Sequence, residues 1–331
     1  MKLTVLGPGC WGLTIAKLLN NNFDEITVWG RESDITEQLK KEKRIEKPLK
    51  IELDKKVEIT SDLKSALSGA NIILLVVSTG GIRPVCEQIK LAGGLEKNQI
   101  LLNLSKGIEL PSLKRMSEVI LEVLPDISFG VLSGPTLARE IIEGKPTLAT
   151  IACEDMEVAK RAQQMLNVPS LFRLYTNQDV IGVELGGSLK NVIAIASGFA
   201  ASMGLGDNLR GSLLTRGMAE MTRVAIALGA KVQTLYGLSG LGDLIATASS
   251  PYSRNYTVGS MLAQGKKIDD ILENLGSVAE GVKTSKALCA LADKLGIEVP
   301  VSRAIYEAVY TDITPEETVK KLMNRKLKEE D

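Results

Sequence analysis

The first eighteen residues constrain the fold more than any other part of the chain. Residues 2–18 read KLTVLGPGCWGLTIAKL, and a short apolar run there precedes Gly7, Gly9 and Gly12 at the spacing G-x-G-x-x-G. This pattern predicts a strand, a tight glycine turn and the first turns of a helix. The second glycine of such a turn lets a pyrophosphate approach the backbone, and the third lets the helix pack close to the strand. Because the N–H groups at the helix start would face phosphates, the stretch favours dinucleotide binding over a plain strand–helix turn.

Apolar, β-prone runs alternate with helical patterns through the first half of the chain. We predict strands at residues 3–6, 26–29, 71–77, 99–104, 129–132, 147–152 and 172–175. A continuous apolar run such as NIILLVV is typical of a parallel strand covered on both faces. The Lys- and Glu-rich residues 34–56 predict a surface helix and loop without chemistry. From Asp179 onward, helical patterns replace strand patterns, which predicts an α/β domain at residues 1–178 and an all-helical domain at 179–331.

Three predicted strands end in small, polar or glycine-containing turns. These turns are Ser78-Thr79-Gly80-Gly81, Ser105-Lys106-Gly107 and Ser133-Gly134-Pro135. Ligands of an open parallel sheet bind outside the carboxyl ends of its strands. Lys106 is the one charge in these turns, so we interpret it as facing a ligand rather than as an ordinary surface lysine.

The charge balance and the missing histidine exclude several classes of function. Forty basic and forty acidic residues give no net charge, which argues against a nucleic-acid binder or an anionic-membrane binder. Without histidine, a histidine-ligated zinc site and a histidine general acid are excluded, and we expect no metal. If the protein transfers hydride, lysine is the best remaining proton donor, because burial and neighbouring charges adjust its pKa.

The N-terminus, the longest apolar stretch and the cysteines together predict a cytoplasmic protein. We expect no signal peptide, because the first strand pattern begins at once. The charge-free apolar stretch at 191–206 is shorter than the roughly 20 residues that span a bilayer. The four cysteines are far apart in sequence, which favours thiols over disulfides.

Residues 180–203 form a long apolar helix pattern that contains Gly186, Gly187, Lys190 and Asn191. Lysine is almost never fully buried without a partner. The two glycines each lower helix propensity by about 1 kcal/mol relative to alanine, so their presence indicates close approach of another group. Lys190 is therefore interpreted as a site residue, and the alternative is a lysine that extends from a core helix to solvent.

Five further features have weaker signals. Residues 209–228 predict a second long helix, and the glycine-rich segment YGLSGLGDL carries Asp243. Ser253, Arg254 and Asn255 are consecutive hydrogen-bond donors of a kind that suits phosphate or sugar hydroxyls. Arg31 follows the second predicted strand, where it would contact the adenine or a 2′-phosphate, or remain a solvated loop residue. The mixed-charge tail from Lys320 predicts a surface helix.

Seven segments carry a resemblance to a known family. In chain order they are GPGCWG, LSKGIE, LSGPTLA, YTNQDVIGVELGGSLKNVIAIASG, YGLSGLGDL, SPYSRN and AEGVKT. In this order, over nearly the whole chain, they resemble the NAD(P)-dependent glycerol-3-phosphate dehydrogenases of the bacterial type. The resemblance implies a Rossmann-type doubly wound N-terminal domain, a helical C-terminal domain and an active site between them. It also implies a homodimer that interconverts dihydroxyacetone phosphate and sn-glycerol 3-phosphate, and reduction would supply phospholipid synthesis.

The same resemblance implies roles for individual residues. Lys190 matches the proton-transferring lysine, and the other implied catalytic residues are Lys106, Asp243 and Asn191. The implied cofactor contacts are Gly7, Gly9, Cys10, Trp11, Gly12, Arg31, Lys106, Ala138, Arg254, Val278 and Glu280. The implied substrate contacts are Lys106, Gly134, Thr136, Lys190, Asp243, Ser253, Arg254 and Asn255.

This sequence departs from the family pattern at three places. Pro8 stands where alanine is common and removes one backbone donor, although the second and third glycines remain. Thr136 replaces a frequent serine and keeps the hydroxyl. Arg31 followed by Glu32 leaves the choice between NADH and NADPH open, with a slight preference for NADPH.

Two other functions fit part of the sequence. A 3-hydroxyacid or 6-phosphogluconate type of lysine-using dehydrogenase shares the two-domain layout, and a fold does not decide the substrate. A nucleotide-sensing protein without catalysis is a second alternative. It would be expected to lack Lys190, Asn191 or Asp243, and all three are present.

Overall fold

The computed structural model describes residues 1–32, 35–275, 279–327 and 329–330. The chain forms two compact units. The first contains Met1–Glu109 and Lys114–Glu184, and the second contains Leu110–Leu113 and Leu185–Asp331.

The first unit is built on an eight-stranded sheet. The strands described in this unit, eight in the sheet and two in a separate hairpin, are β1 (Lys2–Leu6), β2 (Glu25–Trp29), β3 (Arg44–Ile45), β4 (Ile51–Glu52), β5 (Val57–Thr60), β6 (Ile72–Leu75), β7 (Ile100–Asn103), β8 (Ser128–Ser133), β9 (Thr147–Ala152) and β10 (Phe172–Asn177). The sheet order is β10-β9-β8-β7-β6-β1-β2-β5, and β3 pairs with β4 in a separate hairpin. From β5 to β8 all neighbours are parallel. This part has the doubly wound dinucleotide-binding order, with β1 beside the point where the order reverses.

The helices of the first unit cover both faces of this sheet. They are α1 (Cys10–Leu18), α2 (Thr36–Glu42), α3 (Leu63–Leu67), α4 (Thr79–Leu91), α5 (Met116–Val123), α6 (Ala138–Ile142) and α7 (Met156–Leu166). Alternate residues of one strand enter different cores: Ile72 and Leu74 pack in the cluster of α1, whereas Ile73 and Leu75 pack against α4 and α5. Burial on both faces explains the unbroken apolar run in the sequence.

The structure adds detail that the strand patterns did not predict. β9 is antiparallel to β8 and parallel to β10, so the last two strands run opposite to the rest. Within residues 34–56, predicted as surface helix and loop, the described part also contains the β3–β4 hairpin. Edge strand β5 was missed, because it is four residues long and its sequence VEIT alternates apolar and polar side chains.

Every regular element described after Asn177 is helical. These elements are α8 (Val180–Ser202), α9 (Gly206–Ala227), α10 (Val232–Leu235), a π-helix (Leu238–Gly242), α11 (Asp243–Ser249), α12 (Arg254–Ala263), α13 (Ile268–Leu275), α14 (Glu280–Leu295), α15 (Pro300–Tyr310) and α16 (Pro315–Met323). The predicted tail helix starts earlier than expected, after a capping box of Thr314 and Glu317, and ends at Met323.

Helix α8 is the long apolar helix that the sequence predicted. It is long and apolar enough to cross a membrane, but 94% of its most apolar 18-residue stretch is buried in the protein. It is therefore a core helix. Two glycines let its backbone approach that of α12: a Cβ at Gly198 would collide with the Tyr256 carbonyl, and one at Gly259 with the Ile195 carbonyl. This close crossing fixes the start of α12 beside α8.

Candidate functional site

Lys190 lies on α8 inside the second unit, with 5% of its surface exposed. Its Nζ donates to Asp243 Oδ1 at 3.0 Å and to Thr247 Oγ1 at 2.5 Å. Thr247 Oγ1 in turn donates to Asp243 Oδ1 at 3.1 Å. A buried ammonium needs an opposite charge and hydrogen-bond acceptors, and these two side chains supply both.

The π-helix before α11 positions Asp243 and Thr247. A Cβ at Gly186 of α8 would lie 2.8 Å from the Ser239 carbonyl oxygen and 3.0 Å from Gly240 Cα. The close approach that the sequence indicated at Gly186 is therefore made by the backbone of the π-helix. α11 begins directly after it, and its residues four apart, Asp243 and Thr247, share the face toward Lys190.

Asn255 joins three helices next to this lysine. Its Nδ2 donates to Asn191 Oδ1 of α8 at 2.9 Å, and its Oδ1 accepts from the Gly281 N–H of α14 at 3.1 Å. A Cβ on Gly281 would meet Asn255 Oδ1 at 2.6 Å and the backbone carbonyl oxygen of Asn191 at 2.8 Å, so glycine is required at this position. The amide of Asn255 therefore fixes the position of Asn191, the neighbour of Lys190.

Arg254 begins α12 and is exposed, whereas Ser253 and Asn255 on either side are buried. Ser253 is the N-cap, and its Oγ accepts from the Tyr256 N–H at 3.3 Å. The hydroxyl of Ser253 thus has a structural role in starting the helix. An exposed arginine at the positive end of a ten-residue helix is suited to bind an anion.

The glycine turn of the first unit has the three properties predicted from its spacing. Gly7 has φ +125°, and a Cβ there would meet the Val76 carbonyl oxygen at 2.5 Å. At Gly12 a Cβ would collide with the Gly7 carbonyl, so α1 lies directly against the turn. At Gly9 a Cβ would have no atom within 4 Å, which leaves open space on the exposed side of the turn. This space, at the N-terminus of nine-residue α1, fits the pyrophosphate of a dinucleotide.

Lys106, Gly134 and Thr136 come together at the carboxyl ends of β7 and β8. Lys106 Nζ donates to the Gly134 carbonyl at 3.0 Å, and Thr136 Oγ1 donates to the same oxygen at 3.1 Å. Gly134 has φ +149°, and a Cβ would lie 2.9 Å from Ala149 Cα. Because β7 and β8 are parallel neighbours, the turns that follow them lie at the same edge of the sheet.

The remaining residues implied by the resemblance start or flank other elements. Cys10 and Trp11 are half-buried at the start of α1, and Ala138 is half-buried at the start of α6. Arg31 is exposed, and its carbonyl accepts from Thr36 Oγ1 at 2.9 Å. Glu280 is the first residue of α14. Val278 lies outside the described residues.

Sequence reasoning missed Thr247 and two buried carboxylates. Glu184 accepts from the Ser117 N–H, Ser117 Oγ and Arg115 Nη1 at 2.8, 2.6 and 3.0 Å. Glu220 accepts from the N–H groups of Val301 and Ser302 and from Ser302 Oγ. Burial raises the pKa of both carboxyl groups. Each carboxylate occupies the N-terminus of another helix, an arrangement that local sequence spacing does not reveal.

Family models match both halves of the chain. Residues 2–159 match the N-terminal region of NAD-dependent glycerol-3-phosphate dehydrogenase, and residues 179–320 match its C-terminal region. The chain belongs to this family. The prediction of an NAD(P)-dependent dehydrogenase with a Rossmann-type sheet and a helical C-terminal domain is thereby confirmed.

Relatives of this dehydrogenase family align over nearly their full lengths. Glycerol-3-phosphate dehydrogenase [NAD(P)+] of Lysinibacillus sphaericus is 41% identical, over 99% of this chain and 98% of the relative. The enzyme of the same name from Thermobifida fusca is 42% identical over the same shares. The crystal structure of glycerol-3-phosphate dehydrogenase from Coxiella burnetii has a TM-score of 0.91 and 31% identity, covering 98% of this chain and 99% of that one.

Proposed function

We propose that the protein reduces dihydroxyacetone phosphate to sn-glycerol 3-phosphate with NAD(P)H, and that Lys190 is the general acid. The observation that carries the proposal is the buried Lys190–Asp243–Thr247 cluster. A lysine with two hydrogen-bond partners at 3.0 and 2.5 Å is held in one position, as a proton donor must be.

The residues of this cluster perform the proton transfer. Bound reduced nicotinamide supplies the hydride that adds to the carbonyl carbon of the substrate. Lys190 gives a proton from its ammonium group to the carbonyl oxygen, which becomes the new hydroxyl, and the resulting amine regains a proton from water. Before that transfer, the positive charge stabilises the alkoxide that develops on oxygen. Asp243 compensates the buried charge of Lys190, and Thr247 fixes the direction of its N–H groups.

Arg254 is the proposed ligand of the substrate phosphate. It is exposed at the N-terminus of α12, so the guanidinium and the helix end both favour a dianion. The hydrogen bond from Asn255 to Asn191, the neighbour of Lys190, holds the start of α12 beside α8. In the first unit, Lys106 is the proposed second lysine at the substrate, with Gly134 and Thr136 as its immediate partners.

The proposed cofactor contacts are the turn from Gly7 to Gly12 and the residues Arg31, Ala138, Arg254, Val278 and Glu280. The open space at Gly9 supports binding of the pyrophosphate. Because Arg31 is exposed just after β2, where the ribose of the adenosine binds in such sheets, we propose a modest preference for NADPH.

The remaining proposals concern the cell and the assembly. The enzyme works as a homodimer in the cytoplasm and supplies glycerophospholipid synthesis. The proposed domain boundary between residues 178 and 179 lies six residues before the division of the two compact units between Glu184 and Leu185. Burial of α8 in the protein supports a protein without a membrane span.

The decisive experiment follows the absorbance of reduced nicotinamide at 340 nm with dihydroxyacetone phosphate, in parallel with NADH and with NADPH. We expect oxidation of both, faster with NADPH at low cofactor concentration. Dihydroxyacetone without phosphate is the control and should react at a small fraction of the rate. No oxidation by folded protein that still binds NADPH would overturn the substrate assignment.

A further inference from the structure

The second unit contains an apolar cavity of about 270 Å³ that none of the proposed catalytic or binding residues lines. Helices α8, α9, α15 and α16 form its walls. The apolar lining includes Phe199, Leu205, Leu209, Leu213, Ile305 and Leu322. Helix α16 covers it loosely, because Thr318 is its only buried residue in the described part of the helix.

Two arginines contribute positive charge to the lining of this otherwise apolar cavity. Arg216 of α9 and Arg325 after α16 both line it. One N–H of Arg216 donates to the Glu330 carbonyl at 2.6 Å, and Arg325 pairs with Glu298 at 2.9 Å. The Arg325 and Glu298 side chains are 40% and 68% exposed, so this ion pair is weak and another carboxylate can replace Glu298.

We propose that this cavity binds a single-chain fatty acid, with the alkyl chain inside and the carboxylate on Arg325 and Arg216. A dry cavity of about 150 Å³ lined by such side chains holds benzene, so about 270 Å³ holds a chain of about ten carbons. The apolar walls exclude a sugar or a nucleotide, and the arginines favour an acid over an alcohol. The proposal goes beyond the dehydrogenase activity and does not depend on it.

The test measures binding of sodium decanoate, below its micelle concentration, to the full-length protein by calorimetry. Decan-1-ol is the probe with the same chain and no charge. The main variant is Ala304→Phe, because Ala304 lines the cavity and a phenyl ring there occupies the space of the chain. Ala227→Phe makes the same change at an exposed position of α9 and is the matched control. Ala200→Leu replaces Ala304→Phe if circular dichroism shows that the latter does not fold.

We expect decanoate to bind the wild type and the Ala227→Phe variant equally, and Ala304→Phe at least ten-fold more weakly. Arg325→Gln and Arg216→Gln should each weaken decanoate several-fold and leave decan-1-ol unchanged. Absence of decanoate binding, or equal binding to Ala304→Phe, would overturn the proposal. So would decanoate binding that neither arginine variant weakens. Sedimentation that shows dissociation of a wild-type dimer by Ala304→Phe would identify a second chain as the occupant and would also overturn it.

Discussion

Lys190 is the residue on which the proposed chemistry depends. Its side chain is 6% exposed, and its carboxylate partner Asp243 is 3% exposed. Removing one member of a buried pair leaves an uncompensated charge, so Asp243 and Lys190 depend on each other for stability. A substitution that removes the positive charge of Lys190 leaves Asp243 buried without that partner, so the folded state of the variant is checked before its kinetics are read.

Lys190→Met should lower kcat by about 10²–10⁴-fold, the range typical of a lost general acid. The affinity for NADPH, measured by fluorescence titration, should not change. Lys283→Met is the matched control, because Lys283 is exposed on α14. Turnover of Lys190→Met within a few-fold of the wild type would contradict the acid–base role.

Thr247 offers a finer test of the same cluster. Thr247→Val keeps the shape and removes the acceptor that lies 2.5 Å from Lys190 Nζ, so kcat should fall about ten-fold or more. Thr247→Ser keeps the hydroxyl and should restore most of kcat. The pH dependence of kcat distinguishes an effect of Thr247 on Lys190 from a role in packing alone. A shifted pH profile of kcat in Thr247→Val supports an effect on Lys190. A loss of folded protein without such a shift would indicate packing only.

The sequence indicated Lys190 as a candidate site residue because a charge within an apolar helix is conspicuous in a one-dimensional pattern. Thr247 carries no such signal, since a threonine on a short helix fits many structures. Its position arises from the close contact between Gly186 of α8 and Gly240 of the π-helix, which brings α11 onto α8. The Asn191–Asn255 bond likewise joins residues 64 positions apart and depends on the crossing of α8 and α12.

At the scale of elements, the glycine turn before α1 contains one glycine that the fold requires and another that is proposed to contact the cofactor. Gly9 has φ −72° and ψ 171°, a conformation open to any residue, and a Cβ there would contact no protein atom. Gly12, in contrast, is required by the packing of α1 on the turn. The two positions therefore separate a requirement of the fold, at Gly12, from the proposed requirement of the cofactor, at Gly9.

Gly9→Ala should leave the melting temperature within about one degree of the wild type, because the methyl group enters open space. Its affinity for NADPH should fall at least ten-fold, since the methyl group occupies the proposed path of the pyrophosphate. Thermal melts with and without NADPH measure both effects. An unchanged cofactor-induced shift would reject this position for the pyrophosphate. Gly12→Ala is the comparison, and it should lower the melting temperature even without cofactor.

The Glu220 carboxylate at the start of α15 makes stability depend on pH. Burial raises its pKa, so the folded protein holds this proton at pH values where the unfolded chain has released it. Stability from this group is therefore present at low pH and is lost as pH rises from its ordinary pKa through the raised value.

Glu220→Gln removes this titration. The free energy of unfolding of the wild type minus that of the variant should therefore decrease as pH rises from about 4.5 to 8. Urea denaturation at four pH values in this window gives the difference in the free energy of unfolding. The contributions of the other titrating groups are the same in both proteins, so they cancel in this difference. A difference that grows with pH would mean that the hydrogen bonds from Val301 and Ser302 outweigh the cost of burial.

Across the whole molecule, the alternation of apolar runs and glycine turns was enough to predict the parallel sheet and the change to helices. It was not enough for the direction of β9, because a buried strand has the same apolar pattern in either direction. The cavity under α16 has no sequence signal either, because it arises from packing among four helices. Sequence therefore predicts which elements form and at which edge ligands bind, while the three-dimensional packing decides which side chains meet.

The reactivity of the cysteine thiols reports on the folding of both units. Burial raises the pKa of Cys86, Cys153 and Cys289 to about 12, so at pH 8 only about one in ten thousand of these thiols is ionised. Cys10 is half-buried at the start of α1. Iodoacetamide at pH 8 should therefore label Cys10 first, and NADPH should slow that reaction.

The other three cysteines should react only when their unit opens. Cys86 and Cys153 report the first unit and Cys289 the second. Labelling at increasing urea, read by mass spectrometry of each cysteine peptide, then gives a midpoint for each unit. Equal midpoints would mean one cooperative transition, whereas a lower midpoint at Cys289 would mean that the helical unit opens first. Labelling of Cys153 and Cys289 in the absence of urea, as fast as that of Cys10, would contradict the burial of these thiols in the two cores.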